Sequence, residues 1–77
     1  MILVTGATGI LGRVIVLELL KRGKTVRATK RKSSNLQEVR KSFQFYTETP
    51  NEYFDSIEWV EVDFEDIHSL QNALNGV

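Results

Sequence analysis

Apolar residues in this chain come in short clusters separated by glycine or charged turns, and the spacing inside each cluster predicts its element. Ile2-Leu3-Val4 is an unbroken apolar run stopped by Gly6, the pattern of a buried strand. Ile10 to Arg22 lacks proline, is rich in Leu, Ile and Val, and ends in Lys21-Arg22-Gly23, which together predict a helix and its C-terminus. Thr25 to Thr29 follows as a second strand. Ser34 with Gln37 three residues on has capping-box spacing and predicts a helix running to about Phe45. Thr47-Glu48-Thr49-Pro50-Asn51 is loop chemistry. Ile57 to Val62 predicts a third strand, and Asp66 a cap for a last helix over Ile67 to Leu74, ended by Asn75-Gly76. The expected order is β-α-β-α-β-α.

Strands alternating with helices predict an α/β fold with parallel strands and right-handed crossovers. The turn between the first strand and first helix reads Thr5-Gly6-Ala7-Thr8-Gly9-Ile10-Leu11-Gly12, with glycines spaced G-x-x-G-x-x-G. In such a turn the first glycine bends the chain, the second lets a pyrophosphate approach the backbone, and the third lets helix and strand pack closely. Amides at the helix N-terminus then face the phosphates. Gly12 is followed by Arg13-Val14 rather than Lys and Ser/Thr, so this is not the phosphate loop of nucleotide hydrolases. The expected fold is a partial Rossmann fold: three parallel strands in the order 3-2-1 with flanking helices. Strand 1 would then be an edge. The chain stops where a fourth strand is expected, so residues 1–77 are read as the N-terminal part of one dinucleotide-binding domain, truncated and without a second domain.

Composition narrows the alternatives. A chain of 77 residues with 42% hydrophobic residues is expected to fold as one small domain. It has no cysteine and one histidine, which excludes disulfides and most structural zinc sites. The longest apolar stretch, Val14 to Leu20, is interrupted by Glu18 and is too short to span a bilayer. No basic leader is visible, so the expected compartment is cytoplasmic. Net charge is zero but segregated: the first 41 residues carry ten basic and two acidic residues, a net of +8, and the rest carry eight acids and no base. That asymmetry fits an anionic ligand near the first half, or two solvated faces of opposite sign.

The residues Met1 to Gly12 resemble the opening of the extended short-chain dehydrogenase/reductase family, the NAD(P)-dependent epimerase/dehydratase group. Val26-Arg27-Ala28-Thr29-Lys30-Arg31 resembles dihydroflavonol-4-reductase-like members, and Val62-Asp63-Phe64-Glu65-Asp66 is similar to the acidic motif after strand 3. The resemblance covers nearly the whole chain. It implies that Gly6, Thr8, Gly9, Ile10, Leu11 and Gly12 bind the cofactor, with Asp63 and Phe64 lining the adenine pocket. Asp63 has turn formation as its plain alternative, and Phe64 simple packing.

An acid that holds the ribose 2′-hydroxyl of NAD is expected at the end of strand 2, about 20 residues beyond the glycine turn. Thr29, Lys30, Arg31 and Lys32 stand there instead. A carboxylate would repel a 2′-phosphate, whereas Arg grips it with paired donors. Arg31, assisted by Lys32, therefore points to NADP over NAD; the alternative is two ordinary loop charges.

No catalytic residue is expected in this chain. Tyr46 is followed four residues on by Pro50, and Tyr53 by Ile57, so neither starts the family's Tyr-x-x-x-Lys pair. Asp66 reads as a helix cap and His68 as a surface residue. Phe54, Trp59 and Tyr53 read as packing. The reading that results is an NADP-preferring dinucleotide-binding portion of a reductase-, epimerase- or dehydratase-like protein. Its alternatives are a non-catalytic nucleotide-responsive or protein-interaction module and, more weakly, nucleic-acid binding by the basic half. Self-association is expected through the open edge of strand 1 or the apolar surface of helix 1, where Leu11, Ile15 and Leu19 recur at four-residue spacing.

Overall fold

The computed structural model describes residues 1–77. Its elements are β1 (Ile2–Val4), α1 (Ile10–Lys21), β2 (Val26–Lys30), α2 (Leu36–Phe43), α3 (Pro50–Asp55), β3 (Glu58–Glu61) and α4 (Ile67–Leu74). The strands form one sheet in the order β1-β2-β3, all parallel, with Ile2 opposite Val26 and Ala28 opposite Trp59. This is a partial Rossmann fold, α/β, with helices flanking a three-stranded sheet.

Alternation along β2 separates the two faces of the sheet. Val26 and Ala28 point into a core built with Val16, Leu17 and Leu20 of α1, Val39 and Phe43 of α2, and Phe54 of α3. Arg27 points the other way. Its Nη1 donates to the carbonyl of Ala73 at 2.9 Å and to that of Asn75, and its Nη2 pairs with Glu58 at 3.3 Å. These donors satisfy carbonyls at the C-terminal end of α4 and fix that helix to the opposite face. Burial of Phe43, Leu17, Val16, Val26 and Val39, each under 2% exposed, contributes about 1.5–3 kcal/mol apiece.

Three sequence expectations need correction. The helix expected from Ser34 starts one residue later. Asn35 is its cap, with Oδ1 accepting from Gln37 N at 3.1 Å and Glu38 N at 3.3 Å. Ser34 instead closes the preceding turn: its Oγ accepts from Arg31 N and its N donates to Arg31 O, both at 3.0 Å. The capping box is therefore not formed.

The second correction is α3, which occupies part of the segment read as loop. Pro50 opens it, because proline at the first helical position loses only an amide that has no partner there. The short helix persists because Phe54 is buried between Phe43 and Trp59, with ring centroids 6.3 and 6.0 Å away. Arg40 lies 4.3 Å over the Phe54 ring and donates to Asn51 Oδ1 at 3.1 Å, closing α2 onto α3. The element order is β-α-β-α-α-β-α. Thirdly, β1 is not fully buried. Only β2 flanks it, so Leu3 and Val4 are half-buried and Ile2 is exposed.

Candidate functional site

Parallel strands put all their C-terminal ends on one edge of the sheet, and the segments that leave those ends build the site. From β1 the chain enters the glycine turn. Gly6 adopts φ +68°, and its carbonyl accepts from Gly9 N at 3.1 Å. Gly12 lies against the same turn so closely that a Cβ there would stand 1.9 Å from Gly6 O and 2.7 Å from Gly6 C. Ala7, at the centre, is fully buried.

The helix that follows begins unusually. Gly9 is its N-cap and no side chain caps it, nor is there an acid in its first turn. Asn35 and Asp66 do cap α2 and α4. The first amides of α1 are thus left without a protein side-chain partner, beside the positive end of the helix dipole.

From β2 the chain enters the Arg31–Ser34 turn, and from β3 it enters Val62 to Asp66. Between them lies a groove of about 780 Å³, with Arg31, Lys32 and Ser33 on one side. Glu61, Asp63, Phe64, Glu65 and Asp66 stand on the other. A smaller recess of about 240 Å³ is lined by Gly6, Thr8, Thr29, Lys30, Arg31 and Phe64. Arg31 and Phe64 border both, so groove and glycine turn open onto one another.

The structure thus brings Gly6, Thr8, Arg31, Lys32, Asp63 and Phe64 together from three segments. Gly9 and Gly12 shape the turn without lining the groove or recess. Ile10 and Leu11 stand 80% and 73% exposed on the first turn of α1 and line neither. Asp63 also makes a turn: its Oδ1 accepts from Glu65 N at 2.9 Å. Its backbone N donates to Ser69 Oγ at 3.1 Å, and that hydroxyl has the carbonyls of Asp63 and Asp66 as acceptors, each 2.9 Å away. Phe64 is exposed rather than packed in the core.

The family model of the NAD dependent epimerase/dehydratase family matches residues 2–77. The chain belongs to that family. No curated protein matches it. Membership implies a nicotinamide dinucleotide cofactor, and the epimerase/dehydratase member described here has residues that fit one. The uncapped start of α1 offers amides to phosphate, and the tight Gly6–Gly12 contact holds helix and turn together. No helix is long and apolar enough to cross a membrane.

Sequence reasoning missed Thr29, Ser33 and Arg13. Thr29 is 4% exposed and still borders the recess. Ser33 sits between two cations and lines the groove with them. Arg13 is 9% exposed, with Nε donating to Gly9 O at 3.2 Å and Nη2 donating to Thr8 O. A signal for Arg13 was present: it lies three and four residues before Val16 and Leu17, on the buried stripe of the helix.

Proposed function

We propose that this chain binds the adenosine and pyrophosphate portion of NADP(H) in preference to NAD(H), as part of a reductase- or epimerase-like protein resembling the dihydroflavonol-4-reductase group. The observation that carries the reading is Arg31. It borders both the groove and the recess beside the glycine turn, at the strand end where an NAD-binding member would present a carboxylate. Lys32 and Ser33 flank it on the same wall. Together they offer a fork of guanidinium donors, an ammonium and a hydroxyl to a dianionic phosphate.

The remaining residues have separable tasks. Gly6, Thr8 and Gly9 present the turn to the pyrophosphate, and Gly12 keeps the start of α1 close enough for its amides to help. Asp63 and Phe64 border the adenine side, the first as acceptor and the second as an apolar ring. When bound, the nicotinamide cofactor supplies hydride chemistry. In this reading the chain's part is to bind and orient the cofactor.

Isothermal titration of the chain with NADPH and NADH is the test. The expected NADPH affinity is about −4 to −6 kcal/mol, a high-micromolar to millimolar Kd, with NADH weaker. Arg31→Glu should abolish the preference. Equal binding of both cofactors by the unaltered chain would refute it.

A further inference from the structure

Arg13 is the only charged residue of the chain that is buried. A buried guanidinium must be paired, and what pairs with this one are main-chain carbonyls of the glycine turn. Its Nε reaches Gly9 O at 3.2 Å and its Nη2 reaches Thr8 O. Nη2 also lies 3.6 Å from Glu38 Oε1, in the first turn of α2. That helix starts directly after the Arg31–Ser34 turn, so one side chain bridges the two segments that flank the site.

The peptide group turns those contacts into an orientation. In a trans peptide the C=O and the following N–H point in opposite directions. Holding Thr8 O and Gly9 O inward on the guanidinium therefore aims the amides of Gly9 and Ile10 away from it. The Gly9 amide is used within the turn, by Gly6 O. The Ile10 amide is the first of the uncapped amides of α1. Gly9 O also accepts the first helical bond, from Arg13 N at 3.0 Å. The guanidinium thus reinforces that peptide and is the side chain that holds Thr8 O, both through charge-assisted bonds stronger than neutral ones.

We propose that Arg13 is a positioning residue: it sets the Thr8–Gly9 and Gly9–Ile10 peptides for pyrophosphate binding and ties the glycine turn to α2 through Glu38. The proposal rests on the dinucleotide reading given above. It adds a function for a residue that need not itself touch the ligand.

The experiment compares two probes on the full chain, NADPH and adenosine 2′-monophosphate, which keeps the 2′-phosphate but has no phosphate for the glycine turn. Arg13→Met should weaken NADPH by about tenfold while changing the monophosphate by less than about twofold. Arg13→Lys keeps the charge without the fork and should lose NADPH affinity in the same selective way, to a smaller extent. Glu38→Gln, at an exposed site, should act in the same direction more weakly. Parallel losses for both probes, or no loss for either, would overturn the proposal. If Arg13→Met does not fold, Arg13→Lys and Glu38→Gln decide by the same criterion. If the unaltered chain binds neither probe, the dinucleotide reading fails by itself. The positioning claim is then judged on ligand-free amide exchange: faster exchange at Gly9 and Ile10 in Arg13→Lys, with Val26 to Ala28 unchanged, supports it, and unchanged exchange at Gly9 and Ile10 refutes it.

Discussion

Replacing Gly12 by alanine is the most direct probe of how fold and site are joined. The new Cβ would lie 1.9 Å from Gly6 O, 2.7 Å from Gly6 C and 3.0 Å from Ala7 Cα, all of them backbone atoms. Comfortable contact needs about 3.5 Å, so helix and turn must separate by more than an ångström. The helix is poorly able to retreat, because Val16, Leu17 and Leu20 on the same element are buried in the core. Overpacking of this kind costs about 3 kcal/mol at the upper end of its usual range. Alanine returns about 1 kcal/mol of helix propensity, leaving a net loss of about 2 kcal/mol. A chain of 77 residues has about 4–12 kcal/mol of stability in all. The loss therefore lowers the melting temperature by about 8–16 °C, measured by circular dichroism. Two neighbouring glycines supply the controls. At Gly6 nothing lies within 4 Å, so alanine there faces only the cost of φ +68°, about 1–2 kcal/mol. At Gly9 the nearest atom is Gly6 O at 3.3 Å, a tight backbone contact, and φ is −71°, so alanine there needs only a small shift of the turn and should cost about 0.5–1 kcal/mol. The expected order of damage is Gly12, then Gly6, then Gly9. A Gly12→Ala chain melting at or above the parent temperature would refute the packing argument.

Two further outcomes follow from the local structure. Asn35→Ala removes the side chain that caps α2 and should cost about 0.5–2 kcal/mol in a urea melt; an unchanged midpoint would show that the cap is dispensable. Ile10, Leu11 and Ile15 are exposed on α1 and no strand pairs with the outer edge of β1, so the chain should self-associate at tens of micromolar. A monomer in sedimentation equilibrium would contradict this, and Leu11→Glu should shift an associated form toward monomer.

Most elements were legible because their ends are punctuated. Gly6 after β1, Gly23 after α1 and Asp66 before α4 each mark a boundary through one residue's own chemistry. Parallel pairing then followed from alternation, and it alone places Gly6, Arg31 and Asp63 on one edge although they are far apart in sequence. The start of α2 was misread because Ser34 and Asn35 are both good caps. Which one serves depends on the turn before it, where Ser34 is already occupied by the Arg31 backbone. Helix α3 was missed because Thr, Pro and Asn signal both a loop and a helix start. What decides between them is burial of Phe54 against Phe43 and Trp59, a tertiary effect absent from any local window. Arg13 was overlooked on the ordinary assumption that charge faces water, and Phe64 was open to a packing reading on the same kind of assumption about aromatic rings.

The charge segregation of the sequence resolves into something more local than two faces. Arg13, Arg22, Arg27 and Arg40 are paired with Glu38, Glu18, Glu58 and Asp55, and Lys21 donates to the Tyr46 carbonyl. Much of the basic half is thereby spent on holding helices and strands to one another. Arg31 and Lys32 make no such pair and stand on one wall of the groove. Glu61, Asp63, Glu65 and Asp66 face them from the other. A polyanion such as nucleic acid would have to lie against both walls and meet repulsion from one of them. A mononucleotide has the opposite symmetry: its phosphate suits the basic wall, while an exocyclic amine and ribose hydroxyls suit carboxylate acceptors. A groove with oppositely charged walls therefore favours a ligand that is itself anionic at one end and hydrogen-bond donating at the other. That is the chemistry of an adenine nucleotide, and it agrees with the family's nicotinamide dinucleotide cofactor on grounds separate from the glycine turn.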